Sequence, residues 1–217
     1  MREFSDKVVM ISNKIDDIGP WMWTRDGEAF WHIILYDWTH LKKMWAKHIT
    51  KYKVCIQAGG GCGMYPRLLS ETFERVYTFE PNPISFHCLV NNCQSANIYK
   101  YNAVLSDKNQ IIKIKTKNLN NPGETRVSSE GDYSIPAITI DNLALDACDF
   151  IQLDVEEYEL NVLQGAKETI SKYTPVISCE NGNDRILSFL NTIAPYKHVG
   201  QFAPAGANRS DDLYKVV

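Results

Sequence analysis

The sequence predicts an α/β protein whose core is a doubly wound, mostly parallel sheet. From residue 53 onward, short apolar runs alternate with segments of helical periodicity. The runs are apolar throughout, which is typical of parallel strands that helices cover on both faces. Such sheets bind their ligands at the carboxyl ends of the strands. The predicted strands are 53–57, 75–79, 98–104, 149–154, 175–180 and 211–217, and the predicted helices are 28–49, 64–73, 84–95, 158–171 and 184–193.

The chain is predicted to have an N-terminal extension, residues 1–50, and a main domain, residues 51–217. In the extension, Trp31, Trp38 and Trp45 recur at seven-residue spacing. This spacing places the three side chains on one face of a helix, so we expect the extension to pack on the main domain.

One segment of the main domain interrupts the alternation of predicted strands and helices. Residues 105–140 contain two alternating apolar runs, "IIKIKTK" and "PAITI", and the turn-rich stretches "NLNNPGE" and "SSEGD". Alternation of this kind indicates half-buried or edge strands. We therefore predict a hairpin-like insertion ahead of the fourth core strand.

Composition narrows the class of protein. The net charge is -3 and the isoelectric point is about 6.0. These values disfavour a protein that binds the phosphate backbone of nucleic acid. The six cysteines form no C-x-x-C pair, and free thiols suit the reducing cytosol. The N-terminal residues lack the apolar core of a signal peptide, and no apolar run reaches the roughly 20 residues of a membrane span. We expect a cytoplasmic protein without a membrane span, and its oligomeric state stays open.

A glycine-rich stretch follows the first core strand. In "KVCIQAGGGCGMYP", four glycines occupy five positions, and the second core strand then ends at Glu80. Glycine permits positive φ and close approach of a ligand to the backbone, while a carboxylate at Glu80 could accept hydrogen bonds from a ribose diol. The two features together predict a nucleoside site. They do not separate NAD from S-adenosylmethionine, and Met64 breaks a strict G-x-G-x-x-G.

Several further motifs occur in a fixed order along the chain. They are "VCIQAGGGCGMYP", "VYTFEPNPISF", "NAVLSD", "PAITIDNL", "DFIQLDVEEYELNVLQGA" and "PVISCE". Together they resemble the FkbM family of S-adenosylmethionine-dependent methyltransferases, over about residues 53–181. The most specific piece is "LDVEEYELNVLQGA", which is similar to that family's D-V-E-G-x-E-x-x-V-L-x-G-A segment. The resemblance implies a class I methyltransferase with a Rossmann-like fold.

The resemblance also implies a cofactor site along the ends of the first three core strands. The glycines would cradle the methionine end of S-adenosylmethionine, the carboxylate at the end of the second strand would bind the ribose, and the third strand would end beside the adenine. The residues so placed are Gln57, Gly59, Gly61, Gly63, Glu80, Asn102 and Ala103.

Two positions depart from the family pattern. Gln57 stands where the family usually has an acid that contacts the amino acid part of the cofactor, so the charge attraction to the ammonium is lost. Glu157 stands where the family has a glycine, which places a bulky carboxylate where the backbone normally needs freedom. We expect either a wider turn there or a contribution of Glu157 to the chemistry.

The candidate catalytic residues are Asp154, which ends the fourth core strand and would face the methyl-transfer site, and Glu157. A hydroxyl acceptor needs a general base or a metal to remove its proton. On a helix beginning near Val155, Glu156 and Glu159 would share a face while Glu157 points elsewhere. Acidic residues at this place are also common as helix starts, because they complement the helix dipole.

A metal site is the second option for this chemistry. Some class I O-methyltransferases bind Mg²⁺ through an acid after the fourth strand and an acid–amide pair after the fifth. Asp154, Glu180 and Asn181 occupy those places, and three oxygen ligands with room for water suit Mg²⁺. The alternative is that Glu180 and Asn181 only turn the chain into the next helix.

The sequence therefore predicts an S-adenosylmethionine-dependent O-methyltransferase that acts on a hydroxyl of a sugar, glycan or small molecule. Two alternatives stay open. A nicotinamide-dependent oxidoreductase could use the same glycine loop and Glu80, although the "DVEEYE" segment has no place in it. A catalytically silent binding module of the methyltransferase fold would be consistent with Gln57 and Glu157.

Overall fold

The computed structural model describes residues 7–11, 21–25, 42–118, 121–131, 133–202 and 210–217. Its strands are β1 (Val8–Ile11), β2 (Trp21–Thr24), β3 (Val54–Ala58), β4 (Arg75–Phe79), β5 (Ile98–Tyr101), β6 (Val104–Leu105), β7 (Gln110–Asn118), β8 (Asn121–Val127), β9 (Tyr133–Ile138), β10 (Phe150–Leu153), β11 (Val176–Glu180), β12 (Tyr196–Phe202) and β13 (Asp211–Val216). Its α-helices are α1 (Met64–Ser70), α2 (Pro83–Asn92), α3 (Glu159–Gln164), α4 (Lys167–Tyr173) and α5 (Asp184–Leu190). Residues 42–46 are also helical.

The main sheet has seven strands in the order β12-β13-β11-β10-β3-β4-β5. The five strands from β11 to β5 are parallel. Strand β13 pairs antiparallel with β11, and β12 pairs antiparallel with β13, so β12 again runs in the direction of the core strands. This arrangement confirms the predicted doubly wound, mostly parallel α/β fold. Because β3 pairs with both β4 and β10, the strand order reverses between β3 and β10, and ligands are expected at this switch point.

The central strands are buried on both faces, as their apolar sequences predict. Cys55 and Phe150 contribute to one hydrophobic cluster, while the next residues along the strands, Ile56 and Ile151, contribute to another. All four side chains have no exposed surface. Removing apolar surface from water on both sides of the sheet is the main stabilising contribution to this part of the fold.

The segment between β5 and β10 forms a second sheet. Its four strands have the order β6-β9-β7-β8, with β7 and β8 paired as an antiparallel hairpin. Ile114, Ile135 and Ala137 form the buried face of this small sheet. It lies within residues 105–140, where the sequence predicts a hairpin-like insertion, although the sequence does not predict all four strands.

The described parts of the N-terminal extension lie against the main domain. Trp21 and Trp23 of β2 pack with Met64 and Cys88, and the Trp45 ring lies 5.2 Å from the Phe150 ring. Residues 28–41 of the helix predicted over 28–49, with Trp31 and Trp38, lie outside the described residues, whereas residues 42–46 are helical as predicted. The domain boundaries stay predictions. Among the described helices, none has the length and apolar character needed to cross a membrane.

The sequence prediction differs from the observed elements at three places. The strand predicted over residues 98–104 is divided into β5 of the main sheet and β6 of the second sheet. The helix predicted over residues 158–171 is divided into α3 and α4, because Gly165 lies so close to the second sheet that a Cβ there would overlap the carbonyl oxygen of Ser106. Strand β12 is missing from the sequence prediction. In its sequence, "YKHVGQF", the apolar residues Tyr196, Val199 and Phe202 are three positions apart, so it lacks the alternation of period two that indicates a strand.

Candidate cofactor and active site

The turn after β3 requires glycine at its first position. Gly59 has φ of 82°, and a Cβ at this residue would overlap the carbonyl oxygen of Asp154 on the neighbouring strand. Its N–H and that of Gly60 donate to the carbonyl oxygen of Phe79, each at 3.0 Å. The turn is therefore packed tightly between the ends of β4 and β10, and its backbone reaches the edge of the sheet.

Glu80 follows β4 and lies directly beside this turn. Its carboxylate accepts hydrogen bonds from the backbone N–H groups of Gly61 and Asn82, both at 2.7 Å. Burial raises the pKa of Glu80 to about 7, and the two hydrogen bonds oppose this shift. Each carboxylate oxygen keeps a second lone pair, so Glu80 can still accept hydrogen bonds from a diol.

A pocket opens at the switch point of the sheet. Gly59, Glu80, Ala103, Asp154 and Glu156 contribute to its wall. Apolar residues from both sheets also line it, among them Phe79, Leu105, Ile114 and Val127. The lining is thus partly apolar and partly acidic.

Two acidic residues of the pocket form a cluster with a third carboxylate from the neighbouring strand end. Asp154, Glu156 and Glu180 have oxygen atoms within 4.8 Å of one another. Burial, and then the negative charge of Glu180, raise the pKa of Asp154 well above its ordinary value. Asp211, which pairs with Glu180 across β11 and β13, has its pKa raised to about 7 by burial and by the same carboxylate.

The turn after β10 brings Glu156 into this cluster. Glu156 and Glu157 have φ values of 53° and 74°, a left-handed conformation that costs about 1–2 kcal/mol for each residue other than glycine. Arg126 of β8 holds both carboxylates, with Nη2 at 3.1 Å from Glu156 and Nη1 at 3.5 Å from Glu157. The expected helix from Val155 is thus replaced by a left-handed turn, and α3 begins at Glu159.

The structure distributes the predicted cofactor residues over three places. Gly59, Glu80 and Ala103 line the pocket, whereas Gly61 and Asn102 support Glu80. The Asn102 amide donates to the carbonyl oxygens of Glu80 and Pro81, at 2.8 and 3.1 Å.

The other two predicted cofactor residues face away from the pocket. Gly63 caps α1 with φ of 101° and packs against Cys93. Gln57 is fully buried within the sheet, where it donates to Gln152 at 3.1 Å and accepts from Thr78. The departure from the family acid is therefore accommodated by a neutral hydrogen-bonded row across the sheet.

The predicted catalytic and metal residues are also divided. Asp154 lines the pocket, but the side chain of Glu157 is 76% exposed, whereas that of its neighbour Glu156 is 9% exposed. Asp154 and Glu180 belong to the carboxylate cluster, while Asn181 lines a separate cleft. The sequence did not predict that Arg126 and Glu156 line the pocket, because both positions depend on the fold of the second sheet.

Comparison with known proteins decides the family. The model of the methyltransferase FkbM domain matches residues 67–197, which is more than half of the chain. The chain belongs to the FkbM methyltransferase family. The matched segment of this FkbM-family chain includes Glu80, Asp154 and Glu180, and begins just after the glycine turn.

Individual relatives support the same assignment. A hexuronic acid methyltransferase, AglP of Haloferax volcanii, is 29% identical over 125 residues, which cover 55% of this chain and 52% of that protein. This FkbM-family chain thus spans about half the length of the curated relative.

Solved structures show the fold of the family. A methyltransferase FkbM from Methylobacillus flagellatus has a TM-score of 0.58 at 20% identity, over 76% of this chain and 43% of that one. An rRNA methylase from Streptococcus thermophilus has a TM-score of 0.50 at 9% identity, over 82% and 96% of the two chains. The class I methyltransferase fold predicted from the sequence is confirmed.

Proposed function

We propose that this protein is an S-adenosylmethionine-dependent O-methyltransferase that acts on a hydroxyl of a sugar or glycan. The observation that carries the proposal is the pocket at the switch point, where Gly59, Glu80, Ala103 and Asp154 meet in a chain of the FkbM methyltransferase family. The curated relative named as a hexuronic acid methyltransferase supports a carbohydrate acceptor.

The chain's own residues would divide the work of binding. Glu80 would accept hydrogen bonds from the ribose hydroxyls, and the apolar wall at Ala103 would cover the adenine. The tight turn at Gly59 would let the methionine end approach the backbone. S-adenosylmethionine supplies an electrophilic methyl group on a sulfonium when it is bound.

Asp154 and Glu156 would act on the acceptor. Positioning a hydroxyl in line with the methyl group contributes much of the rate enhancement in such transfers, and a carboxylate within hydrogen-bond reach can take the hydroxyl proton. The raised pKa of Asp154 makes its carboxylate a stronger base when it is ionised. The exposed Glu157 would meet the acceptor from outside the pocket.

The carboxylate cluster also fits the donor set of a divalent cation. Asp154, Glu156 and Glu180 offer oxygen atoms at mutual distances that one ion can span, and hard cations such as Mg²⁺ prefer these ligands. Mg²⁺ at this place would lower the pKa of an acceptor hydroxyl. Addition of a chelator, followed by Mg²⁺, measures whether transfer depends on it.

We expect the protein to act in the cytoplasm. All six cysteines are free and buried, a state that suits a reducing compartment. Because the protein has a net charge of -3, we expect nucleic acid to be a poorer acceptor than a carbohydrate.

Transfer of labelled methyl groups tests the proposal. The protein is incubated with methyl-labelled S-adenosylmethionine and a panel of sugars, sugar acids and their glycosides, with Asp154→Asn as the control. We expect a labelled product that survives mild alkali, as a methyl ether does, and a loss of at least about a hundredfold in the variant. Cofactor binding without transfer to any acceptor would favour the silent binding module, and binding of NAD in place of S-adenosylhomocysteine would favour the oxidoreductase.

A further inference from the structure

A second cleft lies beside the cofactor pocket. It has a volume of about 380 Å³ and runs between the turn after β10 and the turn after β11. Asp154 and Glu156 line the cofactor pocket, while Glu157 and Asn161, a few residues later in the same segment, line the cleft. The turn after β10 therefore contributes residues to both the pocket and the cleft.

The walls of the cleft carry amide groups. Asn161, Asn181 and Asn183 all contribute to its lining. Asn183 caps α5 with its carbonyl oxygen, but the side chains of Asn161 and Asn181 make no hydrogen bond to another described residue. An amide donates and accepts at the same time, which matches the paired hydroxyls of a sugar.

One guanidinium completes the wall. Arg185 is exposed on the cleft, and its side chain forms no ion pair within the described ranges. The cleft also contains two carboxylates, and both have partners: Glu157 pairs with Arg126, and Glu159 accepts a hydrogen bond from the backbone N–H of Val155. The planar fork of an arginine binds a carboxylate through two parallel hydrogen bonds, so Arg185 is available for an anionic group of a ligand.

We propose that this cleft is the acceptor site and that the acceptor is a sugar acid. Its hydroxyls would meet the amides of Asn161 and Asn181, and its carboxylate would meet Arg185. The hydroxyl that is methylated would have to reach from Asn181 towards Glu180, the preceding residue and a member of the carboxylate cluster. The inference rests on the proposed function and names the class of acceptor for the same site.

Binding of simple sugars tests the assignment without a known product. Saturation-transfer NMR is recorded with D-glucuronate and with D-glucose, on the protein alone and on the protein loaded with S-adenosylhomocysteine. We expect glucuronate to bind at least tenfold more tightly than glucose. Arg185→Met should remove this preference, Asn161→Ala should weaken both sugars alike, and both variants should keep their affinity for S-adenosylhomocysteine.

The matched control is Lys108→Met, which removes an exposed cation on the turn before β7, away from the cleft. Its glucuronate binding should equal that of the wild type. Equal affinity for the two sugars, binding of neither, or an unchanged preference in Arg185→Met would overturn the inference. If S-adenosylhomocysteine does not bind, the proposed function fails, while the sugar preference of the unloaded protein still tests the cleft.

Discussion

The proposed cofactor half and the proposed acceptor half of the site differ in what holds them in place. The cofactor half consists of backbone and one buried carboxylate, with glycines at the positive φ positions and Glu80 fixed by two N–H groups. The acceptor half consists of side chains on two turns, where Glu156, Glu157 and Asn181 adopt left-handed backbone without being glycine. The comparison teaches that the proposed cofactor half is set by local chain geometry, whereas the proposed acceptor half depends on contacts between distant segments.

The largest expected effect is in the glycine turn. Gly59→Ala would force a Cβ against the carbonyl oxygen of Asp154 in a left-handed conformation, so we expect a loss of roughly 3 kcal/mol or more in unfolding free energy and no binding of S-adenosylhomocysteine. Thermal unfolding and calorimetry measure the two effects.

Gly61→Ala is the matched control for this substitution. Gly61 has φ of 51°, and a Cβ there would meet nothing within 4 Å, so we expect a loss of only about 1 kcal/mol. Equal effects of the two substitutions would show that the tight packing between β3 and β10 does not support the turn.

Removal of the carboxylate at the end of β4 should have the next largest effect. Glu80→Ala takes away the proposed ribose acceptor and leaves the N–H groups of Gly61 and Asn82 without a partner. We expect the affinity for S-adenosylhomocysteine to fall at least tenfold, whereas Glu168→Ala on the exposed side of α4 should leave it unchanged. Unchanged affinity in Glu80→Ala would place the ribose elsewhere.

Cofactor affinity should also depend on pH through this carboxylate. The pKa of Glu80 is raised to about 7, and ribose hydroxyls bind its ionised form, so binding should strengthen as pH rises through 7. Between pH 6 and pH 8 the ionised fraction rises from roughly a tenth to nine tenths, which predicts up to about a tenfold gain in affinity. Calorimetry in Glu80→Gln should show a flat profile, and stronger binding at pH 6 would contradict the assignment.

The smallest effect concerns the acceptor turn. Glu157→Gly restores the family's glycine at a φ of 74° and removes only an exposed ion pair of 3.5 Å. Relief of the left-handed strain exceeds the added entropy of an unfolded glycine, so we expect a gain of up to about 1 kcal/mol in unfolding free energy. Glu168→Gly, the same change in a helix, should instead lose about 0.5–1 kcal/mol. A loss at both sites would mean that Arg126 outweighs the strain.

The fold, the glycine turn and the position of Glu80 were largely predictable because their signals are local. Apolar strands bounded by amphipathic helices specify the parallel sheet, and the glycine turn and Glu80 each follow a strand directly. Both therefore come to the carboxyl edge of the sheet whatever the details of packing.

The acceptor half could not be predicted in the same way. Arg126 reaches Glu156 from a strand of the second sheet, and the sequence between β5 and β10 gives no sign of that contact. The left-handed turn at Glu156 and Glu157 was also hidden, because acidic residues before an apolar repeat predict an early helix start. At Gln57 the family pattern predicted a cofactor contact, but the side chain instead donates a hydrogen bond to Gln152 within the sheet.

Calorimetric titration of the protein with S-adenosylhomocysteine, with NAD as the control, tests the central claim most directly. The account predicts micromolar binding of S-adenosylhomocysteine and no heat with NAD, because Glu80 and the Gly59 turn form a site for a nucleoside in an FkbM-family chain. Binding of NAD alone, or of neither ligand, would contradict it.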